Sequence, residues 1–319
     1  IEGAADNERF RSDVRCSFVR KDPSSRWLIN DWEFTRNPPF WLLGVTESHK
    51  TDHFLIFYRD GPKADRILSI SCRQLEQAYT KLEKNSELEM GDRYLAFLLD
   101  EGEDFATITG MAGDHLQGAA SASYKLKGAK FTVFNRAMFI NDESLRKQTW
   151  WGAARQRTIT HELVHLALSG YTRPFTPPWV VEGAAVHITG QIDTRTRWAL
   201  LRSGRLDSIS LSELSRGQFP GHEGGARELG QEYHYSGEAV RYLVKRFGLG
   251  KFLTFYRAFA SLSPAEVDAI WREQLAGSGT GKPEPGAVMR EITNRLAIEH
   301  LGGDLDEIDK RVKAAILKK

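Results

Sequence analysis

His161-Glu162-Leu163-Val164-His165 is the segment of this 319-residue chain whose residue types and spacing point most directly to chemistry. Residues four apart on an α-helix lie one turn apart on the same face. Two imidazoles in that relation reach one Zn²⁺ at about 2.0–2.1 Å each, while Glu162, one step round the helix, addresses a water beside the metal. In a chain with nine histidines the bare pattern arises by chance in roughly one chain per hundred. The competing assignment is a pair of surface or core histidines on an ordinary helix. Two contexts favour a metal. Ile159, Leu163, Leu166 and Ala167 give the segment an apolar helical face. A third candidate ligand, Glu182, also follows it, and a catalytic zinc usually has three protein ligands. Glu182 stands in the first turns of the next expected helix, beyond a proline-rich turn that folds that helix back on the first. A carboxylate among Val180, Val181, Ala184 and Ala185 is costly to bury unless paired or metal-bound. Its other possible role is that of an N-terminal glutamate favoured by the helix dipole.

Positioning these side chains requires a scaffold that the sequence outlines in part. The helix bearing both histidines is expected over residues 150–168, stopped by Gly170 and by Pro174, Pro177 and Pro178. Thr176 can cap the following helix, with Pro177 and Pro178 in its first turn, where a missing N–H costs little. The pair Trp150-Trp151 suits core packing or, alternatively, a pocket wall. Upstream, residues 14–20 suggest a short strand and Asn37-Pro38-Pro39 a turn. Residues 53–58 read as a buried strand ended by Asp60-Gly61-Pro62. Leu75, Ala78, Tyr79 and Leu82 recur at helical spacing, predicting a helix over 64–84. Residues 93–99 form a further strand, and 118–124 and 129–134 a hairpin turning at Lys127-Gly128.

Downstream, Ser210 to Glu213 and Ser263 to Glu266 are capping boxes that start helices. Residues 235–247 make a helix with Val240, Leu243, Val244 and Phe247 on one stripe, stopped by Gly248. Residues 217–230 and 277–283 read as loops. The second imitates a phosphate loop, but Ala276 replaces its first glycine and Pro283 its magnesium-binding hydroxyl. The expected class is α+β: a mixed α/β sheet lobe packed on the histidine-bearing helix, then an all-helical C-terminal lobe. The expected boundaries are 1–52 for an N-terminal segment without a clear reading, 53–170 for the α/β lobe and 171–319 for the helical lobe.

The run from His161 to His165, followed by Pro178-Trp179-Val180-Val181-Glu182-Gly183, resembles the gluzincin zinc metallopeptidases, in particular the thermolysin-related "peptidase MA-like" proteins. The resemblance covers about residues 53–260 and is strongest over 158–187. It extends to Tyr233-His234-Tyr235-Ser236-Gly237 and the helix running to Phe247-Gly248. It implies a gluzincin-like fold, a Zn²⁺ cofactor held by His161, His165 and Glu182, and hydrolysis of peptide or protein substrates. Glu162 is then the general base for water. A second electrophile for the oxyanion aligns best with Tyr233, with His234 and Tyr235 as neighbouring alternatives. The family's edge strand binds substrate backbone, which marks Gly118, Ala120 and Ala122 as substrate-binding candidates, though a hairpin strand without a ligand fits those residues equally. The chain departs from the family at Val186, where a carboxylate often orients a zinc-bound histidine. That departure keeps alive a peptidase-fold binding or scaffold protein with weak or no turnover. A metallohydrolase of non-peptide amides shares the same metal site and is the third reading.

Bulk composition agrees with a globular protein: 41% hydrophobic and 27% charged. The net charge of +2, from 44 basic and 42 acidic residues mixed along the chain, gives no electrostatic reason for nucleic acid as a partner. No apolar run approaches the roughly 20 residues of a membrane span. Cys16 and Cys72 are too few for a disulfide framework, leaving either one bridge or two free thiols. A first residue of Ile1 rather than Met carries the expectation of an exported protein with its leader removed, whether periplasmic, cell-surface or secreted.

Overall fold

A computed structural model of the chain describes residues 13–19, 28–36, 43–62, 64–85, 87–109, 116–127, 130–147, 150–192, 194–217, 226–277 and 284–318. The turn expected at Asn37-Pro38-Pro39, the hairpin tip at Gly128, the loop residues 218–225 and the glycine-rich stretch 278–283 lie outside them. The class is α+β, and the chain divides into two units. Residues 1–84, 90–125 and 133–166 make up the first, and 85–89, 126–132 and 167–319 the second.

In the first unit, β1 (Asp13–Val19) and β2 (Leu28–Arg36) pair antiparallel as a separate ribbon. The main sheet contains β3 (Glu47–Lys50), β4 (Phe54–Tyr58), β5 (Tyr94–Leu99), β6 (Gly118–Lys127) and β7 (Lys130–Asn141). Its order is β3-β4-β5-β7-β6, with β4, β5 and β7 parallel and β3 antiparallel to β4. Every residue of β5 is buried, as expected of a central parallel strand covered on both faces. Phe57, Phe97 and Phe139 stack across three strands at 4.9 and 5.1 Å between ring centroids. Around the sheet lie α1 (Ala64–Asn85), α2 (Gly102–Thr109), α3 (Asp142–Arg146) and α4 (Trp151–Leu168), the last running across the division between units. The expected core stripe of α1, Leu75, Ala78, Tyr79 and Leu82, is buried.

Several expectations change. β7 extends to Asn141 instead of ending near 134, because Ala137 to Asn141 pair with β5 beyond the polar interruption at Asn135-Arg136. Trp150 is 78% exposed, so it does not pack in the core. Cys16 and Cys72 are free thiols, which decides against the bridge. Burial pushes the Cys72 thiol pKa up, making it a poor nucleophile.

In the second unit, every described element from Pro178 onward is a helix: α5 (Pro178–Ile188), α6 (Thr194–Arg202), α7 (Leu211–Leu214), α8 (Ala226–Phe247), α9 (Leu249–Ser261), α10 (Pro264–Gly277), α11 (Pro285–Leu301) and α12 (Leu305–Leu317). Both capping boxes form: Ser210 accepts from Glu213 N, and Ser263 and Glu266 bond reciprocally. Gly248 takes φ +87° between α8 and α9, a backbone angle that glycine tolerates without strain. Thr176 does not cap α5. Its hydroxyl instead accepts from Arg173 N inside the preceding turn, and Pro177 occupies the cap position. Helix α8 begins at Ala226, so residues 226–230 are helical rather than loop.

Candidate metal centre

The C-terminal half of helix α4 is largely buried: Ile159, Leu163, Val164, Leu166 and Leu168 are at most 2% exposed, which fixes its rotation. His161 and His165 are half-buried, one turn apart on it. Their Nε2 atoms stand 3.0 Å apart, with rings edge to face at 4.7 Å between centroids. Two nitrogens bound to one tetrahedral zinc at about 2.05 Å would be about 3.3 Å apart. The observed spacing is therefore close to what a shared ion needs, and it is also that of a direct hydrogen bond between the two rings. Without an ion, one Nε2–H donates to the other.

Glu182 lies on α5, half-buried. One ligand atom from each of His161, His165 and Glu182 lies within 4.8 Å of the other two. Two imidazoles and a carboxylate are the donor set of a three-ligand catalytic zinc site. The level of Glu182 along its helix is set by the next residue. A Cβ at Gly183 would fall 2.6 Å from Ser236 O and 2.7 Å from Val240 Cγ2, so α5 and α8 touch backbone to backbone there. One turn on, a Cβ at Gly237 would meet Val186 Cγ1 at 2.5 Å. Val186 is 3% exposed in that contact, which gives its apolar side chain a packing reason. Burial lowers the pKa of the adjacent His187, favouring its neutral form.

Glu162 is 7% exposed and shares a stripe of α4 with Thr158. Gly118, the first residue of edge strand β6, lies directly against that stripe. A Cβ there would fall 2.6 Å from Thr158 Cγ2 and 3.0 Å from Glu162 Oε1. The structure thus brings Gly118 and Glu162 together. Ala120 and Ala122 are half-buried further along the strand, flanking exposed Ser121.

Tyr233 and His234 are half-buried inside α8, about two turns from its start rather than ahead of it. Tyr235 is fully buried, and its hydroxyl donates to Asp309 Oδ1 at 2.6 Å. Burial and the Asp309 charge push its pKa far up. Tyr235 is a structural residue, which removes it from the electrophile candidates.

Sequence reasoning missed Arg155. It is fully buried, donating to Asp142 Oδ1 at 2.7 Å, Gln74 Oε1 at 2.6 Å and Ser71 Oγ at 2.7 Å. An arginine seven residues before Glu162, and so on its helical face, was the available signal.

No protein-family model matches the sequence, and none of the curated proteins does. Among solved structures the chain is similar to a mutant of a two-domain M1 zinc metallopeptidase bound to L-arginine, at 13% identity and TM-score 0.39, covering 96% of this chain and 60% of that one. It is also similar to an M1 zinc metallopeptidase from Deinococcus radiodurans, at 14% identity and TM-score 0.36, covering 96% and 61%. A third similarity is to a mutant M1 zinc metallopeptidase from the same organism bound to a Tyr-Ser-Ala substrate, at 13% identity and TM-score 0.36. The chain spans about three fifths of the length of these proteins.

Proposed function

We propose that this chain is a zinc-dependent hydrolase of peptide bonds, with His161, His165 and Glu182 holding the metal. The observation that carries the reading is the convergence of the two Nε2 atoms on a helix whose rotation is fixed by burial. Bound zinc would lower the pKa of water to about 7 and polarise the scissile carbonyl. Glu162 takes the proton of the attacking water and passes it to the leaving amine. The Tyr233 hydroxyl donates to the developing oxyanion. The backbone of β6, from Gly118 through Ala120 and Ala122, receives an extended substrate as an added strand.

The test measures zinc and turnover together. Wild-type protein purified without chelators should carry one zinc per chain, and His161→Ala should lose it. Glu162→Gln should keep zinc and lose about 10²–10⁴-fold in kcat on a fluorogenic peptide library. A wild-type protein without zinc sinks the proposal. A second reading, a peptidase-fold binding protein, is favoured by one observation: the buried, apolar Val186, packed against Gly237, stands where a carboxylate would orient a zinc-bound histidine. It expects bound zinc without turnover. Cleavage of non-peptide amides alone would indicate the third, a metallohydrolase of other substrates.

A further inference from the structure

The segment that leads into β6 is tied to α4 by a closed ring of hydrogen bonds. From α4, Arg155 donates to Asp142. Its neighbour Asn141, the last residue of β7, donates through its backbone N–H to Gln117 O at 3.0 Å and through Nδ2 to Leu116 O at 2.9 Å. Gln117 returns to α4, its Oε1 accepting from Thr158 Oγ1 at 3.2 Å. Both carbonyls and one side chain of the two residues before Gly118 are therefore held. The ring begins and ends on the stripe of α4 that carries Glu162, since Arg155, Thr158 and Glu162 follow at offsets of three and four.

We propose that this ring is a spacer setting the distance between edge strand β6 and Glu162, with Thr158, Gln117 and Asn141 as positioning residues. The inference rests on the reading of Glu162 as general base and of β6 as the substrate strand. The ring has a rigid end and an adjustable one. Arg155 and Asp142 are 0% and 1% exposed, and moving either would leave a buried charge without its partner. Asn141 is equally committed, its Oδ1 accepting from Ser144 N to cap α3. The Thr158–Gln117 bond is a single neutral contact, partly buried, and closes the ring beside Gly118. A glycine at 118 lets the strand approach to where any Cβ would strike Thr158 and Glu162. At that range a displacement of about 1 Å changes whether a substrate carbonyl meets the base's water in line, and such displacements cost on the order of 10²-fold in rate.

Thr158→Val keeps the branched shape and removes only the donor. In metal-free protein, hydrogen exchange of amides 117–122 should speed up at least tenfold in this variant. In zinc-loaded protein, kcat on a peptide should fall at least tenfold with zinc content and KM within twofold of wild type. Thr158→Ser should restore both readouts. Gln117→Met removes the acceptor of the same bond from a half-exposed position. It should reproduce the effect, and the double variant should be no worse than either single one. Unchanged exchange and kcat in both variants overturn the proposal. So does loss of zinc in Thr158→Val, because Thr158 would then support the metal helix rather than the strand. If wild type cleaves nothing, the hydrolase reading fails separately, and the exchange measurement alone decides whether the ring holds β6.

Discussion

Two glycines in the interiors of helices α5 and α8 give chemically identical substitutions opposite signs. Replacing a helical glycine by alanine gains about 1 kcal/mol of helix propensity where space allows. At Gly230 nothing lies within 4 Å of the added methyl, so Gly230→Ala should stabilise by about 0.5–1 kcal/mol. At Gly183 the methyl would fall 2.6 Å from Ser236 O and 2.9 Å from Ser236 C. Those atoms are backbone and cannot swing aside, so α5 must retreat from α8 by about 1 Å. Overpacking of that kind costs about 1–3 kcal/mol. With the propensity gain subtracted, Gly183→Ala should lose up to about 2 kcal/mol, leaving the two variants about 1–3 kcal/mol apart. Gly237→Ala should fall between them, because its methyl meets the side-chain ends of Val186 and Ile192, which have some freedom to move. Urea unfolding followed by far-UV circular dichroism reads the order directly. Since Gly183 adjoins Glu182, the same retreat should weaken zinc binding in Gly183→Ala and leave Gly230→Ala unaffected. Equal or greater stability of Gly183→Ala would refute the close crossing of α5 and α8.

Two further predictions concern titration and the tyrosines. Burial alone would raise the pKa of Glu76, but bonds from His53 and Thr51 outweigh it and hold the carboxyl below its usual range. A depressed folded pKa contributes stability that is complete above about pH 4.5 and disappears as pH falls through the folded value. Glu76→Gln should thus be about 1 kcal/mol less stable than wild type at pH 7, with the gap closing below pH 4.5; a gap that persists at pH 2 contradicts the assignment. Tyr235→Phe should cost about 1–3 kcal/mol of stability with kcat unchanged, whereas Tyr233→Phe should lower kcat at least tenfold with stability unchanged. Thermal melts and peptide kinetics on both variants check the pair, and reversal of the two outcomes would exchange their roles.

The parts of this molecule that were legible in the sequence are those where one chemical rule dominates. Buried strands β4 and β5 announce themselves as unbroken apolar runs, and α1 as a stripe at helical spacing. Strand β3 was not visible because all four of its residues are exposed, so it carries no hydrophobic pattern. The eight residues of α2 are too few for a period to stand out. Within the candidate site, the pairing of His161 with His165 follows from spacing alone. The assignment of Tyr235 needed more. Extending the stripe of Val240 and Leu243 backward along α8 reaches Ala239, Ser236 and Tyr235, all fully buried, whereas Tyr233, seven residues before Val240 and so at the edge of the same stripe, is half-buried. The expected helix already began at Tyr235; what the sequence concealed is that α8 continues back to Ala226 and so includes Tyr233, because the glycines at 224, 225 and 230 interrupt the pattern.

Position 186 shows packing and chemistry competing for one side chain. A carboxylate there would have to replace methyls that fit against Gly237, where α5 and α8 approach too closely for any Cβ on the glycine. The apolar residue and the close approach support each other, since Val186 fills the space that Gly237 leaves and Gly183 brings the backbones together beside Glu182. The crossing beside the proposed carboxylate ligand therefore makes a buried carboxylate one turn later on the same helix costly, since its charge would face apolar packing. Such partners contribute about 10–100-fold in metal affinity. The imidazoles of the proposed site are carried by α4, where burial fixes the helix rotation and the two rings stand edge to face. The helix that carries them is in turn anchored by a fully buried arginine bonded to three different side chains, which resists the rotation that would part the two rings.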